Sequence, residues 1–103
     1  MTTTKTKVEI DSDLQDLIPQ FLENRKKDIQ LMEELVIKND LTAIGQLAHK
    51  MKGASAGYGF AALSNISSQI ETAARNNNPT PIPQLVVDMR THFENIEVHF
   101  VSM

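Results

Sequence analysis

The chain has no cysteine and no tryptophan, one tyrosine, four glycines and four prolines in 103 residues. Without cysteine there is no disulfide framework and no thiolate nucleophile. That fits a reducing compartment. With no tryptophan, four phenylalanines and one tyrosine, the chain lacks stacking platforms for single-stranded nucleic acid. Positive charge is also short. Ten Lys and Arg stand against thirteen Asp and Glu, for a formal net charge of -3. A nucleic-acid ligand would want a clear basic excess. No apolar run approaches the ~18 residues of a membrane span. Met1-Thr2-Thr3-Thr4-Lys5 lacks the apolar core of a signal peptide. The expectations are therefore no membrane, no nucleic acid and a cytoplasmic location. Met1 and the chain ends suggest a free-standing protein.

What is present is one domain's length of chain, 41% of it hydrophobic, with enough apolar residues for one modest core. Residues 1–9 read as a flexible tail, and 10–103 as the domain. Ile10-Asp11-Ser12-Asp13-Leu14 looks like a helix start, with Asp11 or Ser12 as N-cap. A short helix is expected over 12–17. Pro19 can open a second helix, over 19–38, because its missing N–H is not needed in a first turn. Ile18, Phe21, Leu22, Ile29, Met32, Leu35 and Val36 supply its apolar face. Arg25, Lys26, Lys27, Glu33, Glu34 and Lys38 are expected mostly on solvent faces. Asn39-Asp40 ends this helix, and Asp40 can cap a third over 41–56. A fourth is expected over 60–75, then a loop at Asn76-Asn77-Asn78-Pro79-Thr80-Pro81. A fifth is expected over 82–100, with Ile82, Leu85, Val86, Met89, Phe93, Ile96 and Phe100 on one face. No strand-like alternation lasts beyond four or five residues. The pattern predicts an all-α fold, an antiparallel four-helix bundle with a short additional N-terminal helix.

One run is not explained by folding alone. In the third helix Ile44, Leu47, Ala48, Met51, Ser55 and Tyr58 form an inward stripe. Ser55 is expected there as a small core residue, bonded to a carbonyl one turn back. The opposite face carries Gly45, His49, Lys52, Gly53 and Ala56. A glycine inside a helix costs roughly 1 kcal/mol against alanine. Gly53, four residues after His49, leaves the imidazole uncovered, so that another protein's active site could approach closely. A neutral imidazole nitrogen is a good nucleophile near pH 7. Lys52, one turn on, can supply charge to an anionic group there. Lys50 points about 100° round the helix and is the weaker candidate. His92 and His99 are given no role.

The run His49-Lys50-Met51-Lys52-Gly53-Ala54-Ser55, followed by Gly59 and Leu63, resembles the histidine-containing phosphotransfer (HPt) domain. That pattern reads His-x-Leu-Lys-Gly-small-small, then a Gly and a Leu. Met51 stands where Leu is usual, a swap of similar volume. Leu17-Ile18-Pro19-x-Phe21-Leu22, Asn39-Asp40 and Leu47-Ala48 extend the likeness along the chain. The resemblance implies a bundle in which His49 is the phosphorylated histidine. Lys52 would lie near the phosphoryl oxygens, and Gly53, Ala56 and Gly45 would belong to the partner-docking face. The partners it implies are response-regulator receiver domains and an upstream histidine kinase or hybrid kinase.

No Gly-rich turn is followed by Lys-Ser or Lys-Thr, so no nucleotide loop is visible. No Ser sits in a Gly-x-Ser-x-Gly setting, and the three histidines have no metal-ligand spacing. The chain therefore reads as a phosphocarrier rather than an enzyme, with no ATP site and no cofactor or metal of its own. Mg²⁺ is expected in the partner receiver domain. Two other readings stand beside this one: a helical interaction module that works without phosphorylation, and the phosphotransfer piece of a larger sensor kinase. A polar outer surface suggests a monomer.

Overall fold

The computed structural model describes residues 5–102. Four helices make up most of it: α1 Ile18–Lys38, α2 Leu41–Gly57, α3 Ala61–Arg75 and α4 Ile82–Glu94. A short 3₁₀ helix, Ser12–Leu17, leads into α1. Two strands, β1 Thr6–Asp11 and β2 Ile96–Val101, pair in parallel.

The local signals explain most boundaries. Asp11 caps the 3₁₀ helix, its side chain accepting from Asp13 N–H. Pro19 sits in the first turn of α1. Asn39 ends α1 in the left-handed conformation, φ 54°. Asp40 N–H then donates to Leu35 C=O and Asn39 N–H to Val36 C=O, which closes the last turn. The Asp40 side chain accepts from Ala43 N–H and opens α2. Gly59 turns the chain between α2 and α3 at φ +91°, a conformation that a side chain strains.

Each helix packs on two others: α1 on α2 and α4, α3 on α2 and α4. Between them lie Ile29, Met32, Ile44, Met51, Leu63, Ile70, Ile82 and Met89, all at 2% exposure or less. Phe60 stacks on Phe21 with ring centroids 4.6 Å apart, and Tyr58 leans on the same ring at 5.0 Å. These three rings fix the start of α1 against the α2–α3 link. Arg90 on α4 grips Glu33 on α1 with two hydrogen bonds.

Three expectations need correction. The last helix ends at Glu94, not at 100, because residues 96–101 form β2. Asn95 closes α4, its N–H returning to His92 and Phe93 carbonyls. Residues 6–9, expected in the tail, belong to β1, where Ile10 is driven into the core at 1% exposure; residues 1–4 of that tail lie outside the described residues. Arg25, expected at the surface, is buried. Its guanidinium bonds Asp28 at 2.9 Å and lies over the Phe21 ring at 5.0 Å. The buried charge is thus paired, and its flat face covers an aromatic surface.

Candidate functional site

The inward stripe of α2 forms as its spacing requires. Ile44, Leu47, Ala48, Met51 and Ser55 are all buried. That orientation turns His49 outward, its side chain 63% exposed. Ser55 departs from expectation. Its hydroxyl is buried and has no hydrogen-bond partner; α2 buries Ser55 completely, so no solvent reaches the group.

The residue that organises the site is Glu71, on α3. It occupies the buried stripe with Ser67, Ile70 and Ala74, and its side chain is 9% exposed. A carboxylate there requires cationic or N–H partners, and it has three. Lys52 Nζ donates to Oε1 at 2.7 Å. His49 Nδ1 and Arg75 Nη2 lie 2.8 and 2.9 Å from Oε2. The hydrogen bond from Lys52 is the main force holding the Glu71 carboxyl below its ordinary range; burial opposes it, and the His49 hydrogen bond adds to it. Glu71 is therefore ionised and can only accept. In the neutral imidazole the proton therefore sits on Nδ1, and Nε2 is the nitrogen left with a bare lone pair. Ser64 Oγ, also on α3, donates to the Lys52 carbonyl at 3.0 Å and ties the two helices beside this cluster.

Lys50 lies on the other side of His49. Its ammonium is 3.4 Å from Asp28 on α1. The imidazole is thus flanked by two cation–carboxylate pairs, one reaching to α3 and one to α1.

The expected docking residues divide. Gly53 and Ala56 are exposed on the face of His49. A methyl group at Gly53 would meet nothing within 4 Å, so packing does not require a glycine there. Lys52 and Ala56 line a shallow groove with Ser64, Asn65 and Ser68 of α3. Gly45 is different. It is buried, and a Cβ there would touch Ala74 Cβ at 3.5 Å and Arg75 Cγ at 3.8 Å. A helical projection places Gly45 on the stripe of His49, but α3 crosses over that part of the stripe. Gly45 is thus a packing contact between α2 and α3 rather than part of the open face.

Glu71 and Arg75 escape a reading by motif. The available signal was an acid at a core position of α3, four residues after Ser67. Among the described residues, no group of three or more His, Cys, Asp and Glu is placed to hold a metal ion, and no helix is long and apolar enough to cross a membrane.

A family model described as the Hpt domain matches residues 16–99. That stretch runs from the 3₁₀ helix into β2 and contains the whole cluster around His49. Comparisons with curated proteins and with solved structures return no match.

Proposed function

The chain belongs to the Hpt-domain family, and from that footing we propose that it is a phosphorelay intermediate whose phosphorylated residue is His49. The donor is the phospho-aspartate of a receiver domain, or a histidine kinase. The acceptor is an aspartate of a response-regulator receiver domain. The observation that carries the reading is the 2.8 Å contact between His49 Nδ1 and Glu71.

On this reading Nε2 attacks phosphorus. The N–P bond forms as the bond from phosphorus to the donor's aspartyl oxygen breaks, and the aspartate leaves as a carboxylate. The ring keeps its Nδ1 proton and gains positive charge, which the Glu71 carboxylate balances. Transfer onward runs the same step in reverse, with the acceptor aspartate attacking and neutral imidazole leaving. Such transfer depends mainly on positioning and electrostatics. Lys52 supports it by turning its ammonium from Glu71 towards the phosphoryl oxygens. Glu71 retains Arg75 as a counter-ion when this happens. Mg²⁺ and the acidic pocket that holds it belong to the receiver partner. The exposed face at Gly53 and Ala56 is where that partner docks.

The architecture suits this role. The short links Asn39–Asp40, Tyr58–Phe60 and 76–81 favour an antiparallel four-helix bundle. A rigid bundle holds the imidazole outward without a loop to reorganise. A cytoplasmic location fits a partner of receiver domains.

The deciding experiment mixes the purified protein with a phosphorylated receiver domain and Mg²⁺. Acid-labile, base-stable phosphate should accumulate on the wild type and not on His49→Gln. No label from any receiver of the same organism would refute the proposal, and label surviving in the variant would move the site elsewhere.

A further inference from the structure

Among the described residues the sheet has two strands, so β1 has one edge that no described strand covers. Thr6 N–H donates to Asn95 C=O at 2.7 Å, so Thr6 turns its backbone groups towards β2. By the alternation of a strand, Val8 and Ile10 do the same, and Lys7 and Glu9 turn their N–H and C=O groups to the bare edge. The side chains of Lys7 and Glu9 are 61% and 57% exposed. They are 3.9 Å apart at their charged tips, a loose contact that leaves both available.

A bare edge is a template for another strand unless something repels it. Charges of one sign along β1 would repel a second β1 in any orientation. The charges here are split. Lys5, Lys7, Glu9 and Asp11 stand at alternate positions, two positive and then two negative. A second copy in parallel register would set Lys on Lys and Glu on Glu. Turned antiparallel about Val8, it would set Lys7 opposite Glu9 of the second copy, and Lys5 opposite Asp11. Directly opposite residues share a face of the sheet, and opposite charges there favour pairing. Lys7 and Glu9 are also the residues whose backbone groups face the new edge, so each such pair exchanges both hydrogen bonds.

We propose that this chain associates with a second copy of itself through β1, antiparallel and two-fold about Val8, to give a four-stranded sheet ordered β2-β1-β1-β2. The polar surface that suggested a monomer is then the surface that specifies the pairing. The association is independent of phosphotransfer. Ile10 at the ribbon lies beside Gly59, past the end of α2. His49 is more than two helical turns back from that end, about 12 Å at 1.5 Å per residue, so its open face is not covered.

The test is sedimentation velocity on the full chain at low salt, from micromolar to near-millimolar concentration. The wild type should shift from monomer to dimer across that range, and added salt should weaken the dimer. Lys7→Glu alone and Glu9→Lys alone should each raise the dimer dissociation constant at least tenfold, with unchanged helical circular dichroism. An equimolar mixture of the two variants should dimerise again, because opposite charges then face each other across the axis. A wild type that stays monomeric throughout overturns the proposal. So does a dimer that survives both single substitutions, or a mixture that fails to recover.

Discussion

Glu71 and His49 are separated by twenty-two residues of chain and by 2.8 Å in space. The contact assigns the imidazole tautomer, because an ionised carboxylate cannot donate. Nitrogen NMR of His49 should show a protonated Nδ1 and a bare Nε2 in the wild type at neutral pH. Glu71→Ala should yield a tautomer mixture and slow transfer about tenfold or more. Glu71→Gln keeps an acceptor for Nδ1–H and should retain the tautomer, while losing the charge that balances the phosphorylated ring. An unchanged tautomer in Glu71→Ala would remove Glu71 from the mechanism.

Lys52→Ala separates charge from folding. The side chain is 36% exposed, and Glu71 retains Arg75 when the ammonium is removed. Stability should fall by no more than about 1 kcal/mol. Transfer from a phosphorylated receiver should slow by an order of magnitude or so. A chemical melt and a transfer time course on the same preparation distinguish the two effects.

At Gly53 stability and function should move in opposite directions. Nothing lies within 4 Å of a methyl group placed there, so Gly53→Ala should gain roughly 0.5–1 kcal/mol of helix stability. Gly53→Gln should fold as well as wild type and transfer more slowly, since its side chain stands where the partner docks. A wild-type rate for Gly53→Gln would show that no clearance is needed.

Ser55→Ala should stabilise the protein. It removes a buried hydroxyl that lacks a partner and replaces it with the best helix former. A rise of about 1 kcal/mol in urea unfolding is expected, with phosphotransfer unchanged.

Stability should decline towards acid in two stages. Burial lowers the His92 pKa below its ordinary 6.5. A depressed folded value means that the stabilising contribution is full above 6.5 and fades as pH falls below it. Hydrogen bonds from Lys52 to Glu71 and from Arg90 to Glu33 lower those two carboxyls below 4.5. Their contributions are full above 4.5 and fade as pH falls further. Melting curves from pH 7 to 3 should show both limbs. His92→Gln should flatten the upper one, and Glu71→Gln with Glu33→Gln should make the lower one shallower.

The four helices were legible from their apolar spacing, and Pro19, Asn39 and Asp40 marked the bounds of α1 and the start of α2; the end of α4 was not. The parallel ribbon was not. Ile96 and Phe100 are four apart, a spacing that suits one face of a helix and one face of a strand equally. Their partner strand lies at the other end of the sequence, where no local pattern announces it. His49, Lys52 and Gly53 were legible as a local run on one helix. Glu71 was hidden because it sits at an apolar position of a different helix, where only its charge is out of place. The burial of Gly45 against α3 was hidden for a related reason: a single helix's projection does not show which part of a stripe its neighbour covers.

The pairing of β1 with β2 also bears on the order of folding. Thr6 aligns with Ile96, so the ribbon closes a loop of almost the whole chain. Closing so long a loop before the helices dock costs the most entropy of any contact in the fold. The helices must therefore collapse first and bring the two segments together. The ribbon packs mainly on itself and on the 3₁₀ helix, with Ile10 as its anchor in the core, and its amides should exchange with solvent before those of α2 and α3. If they do, the strand edge and the histidine sit on parts of the molecule that open on different timescales.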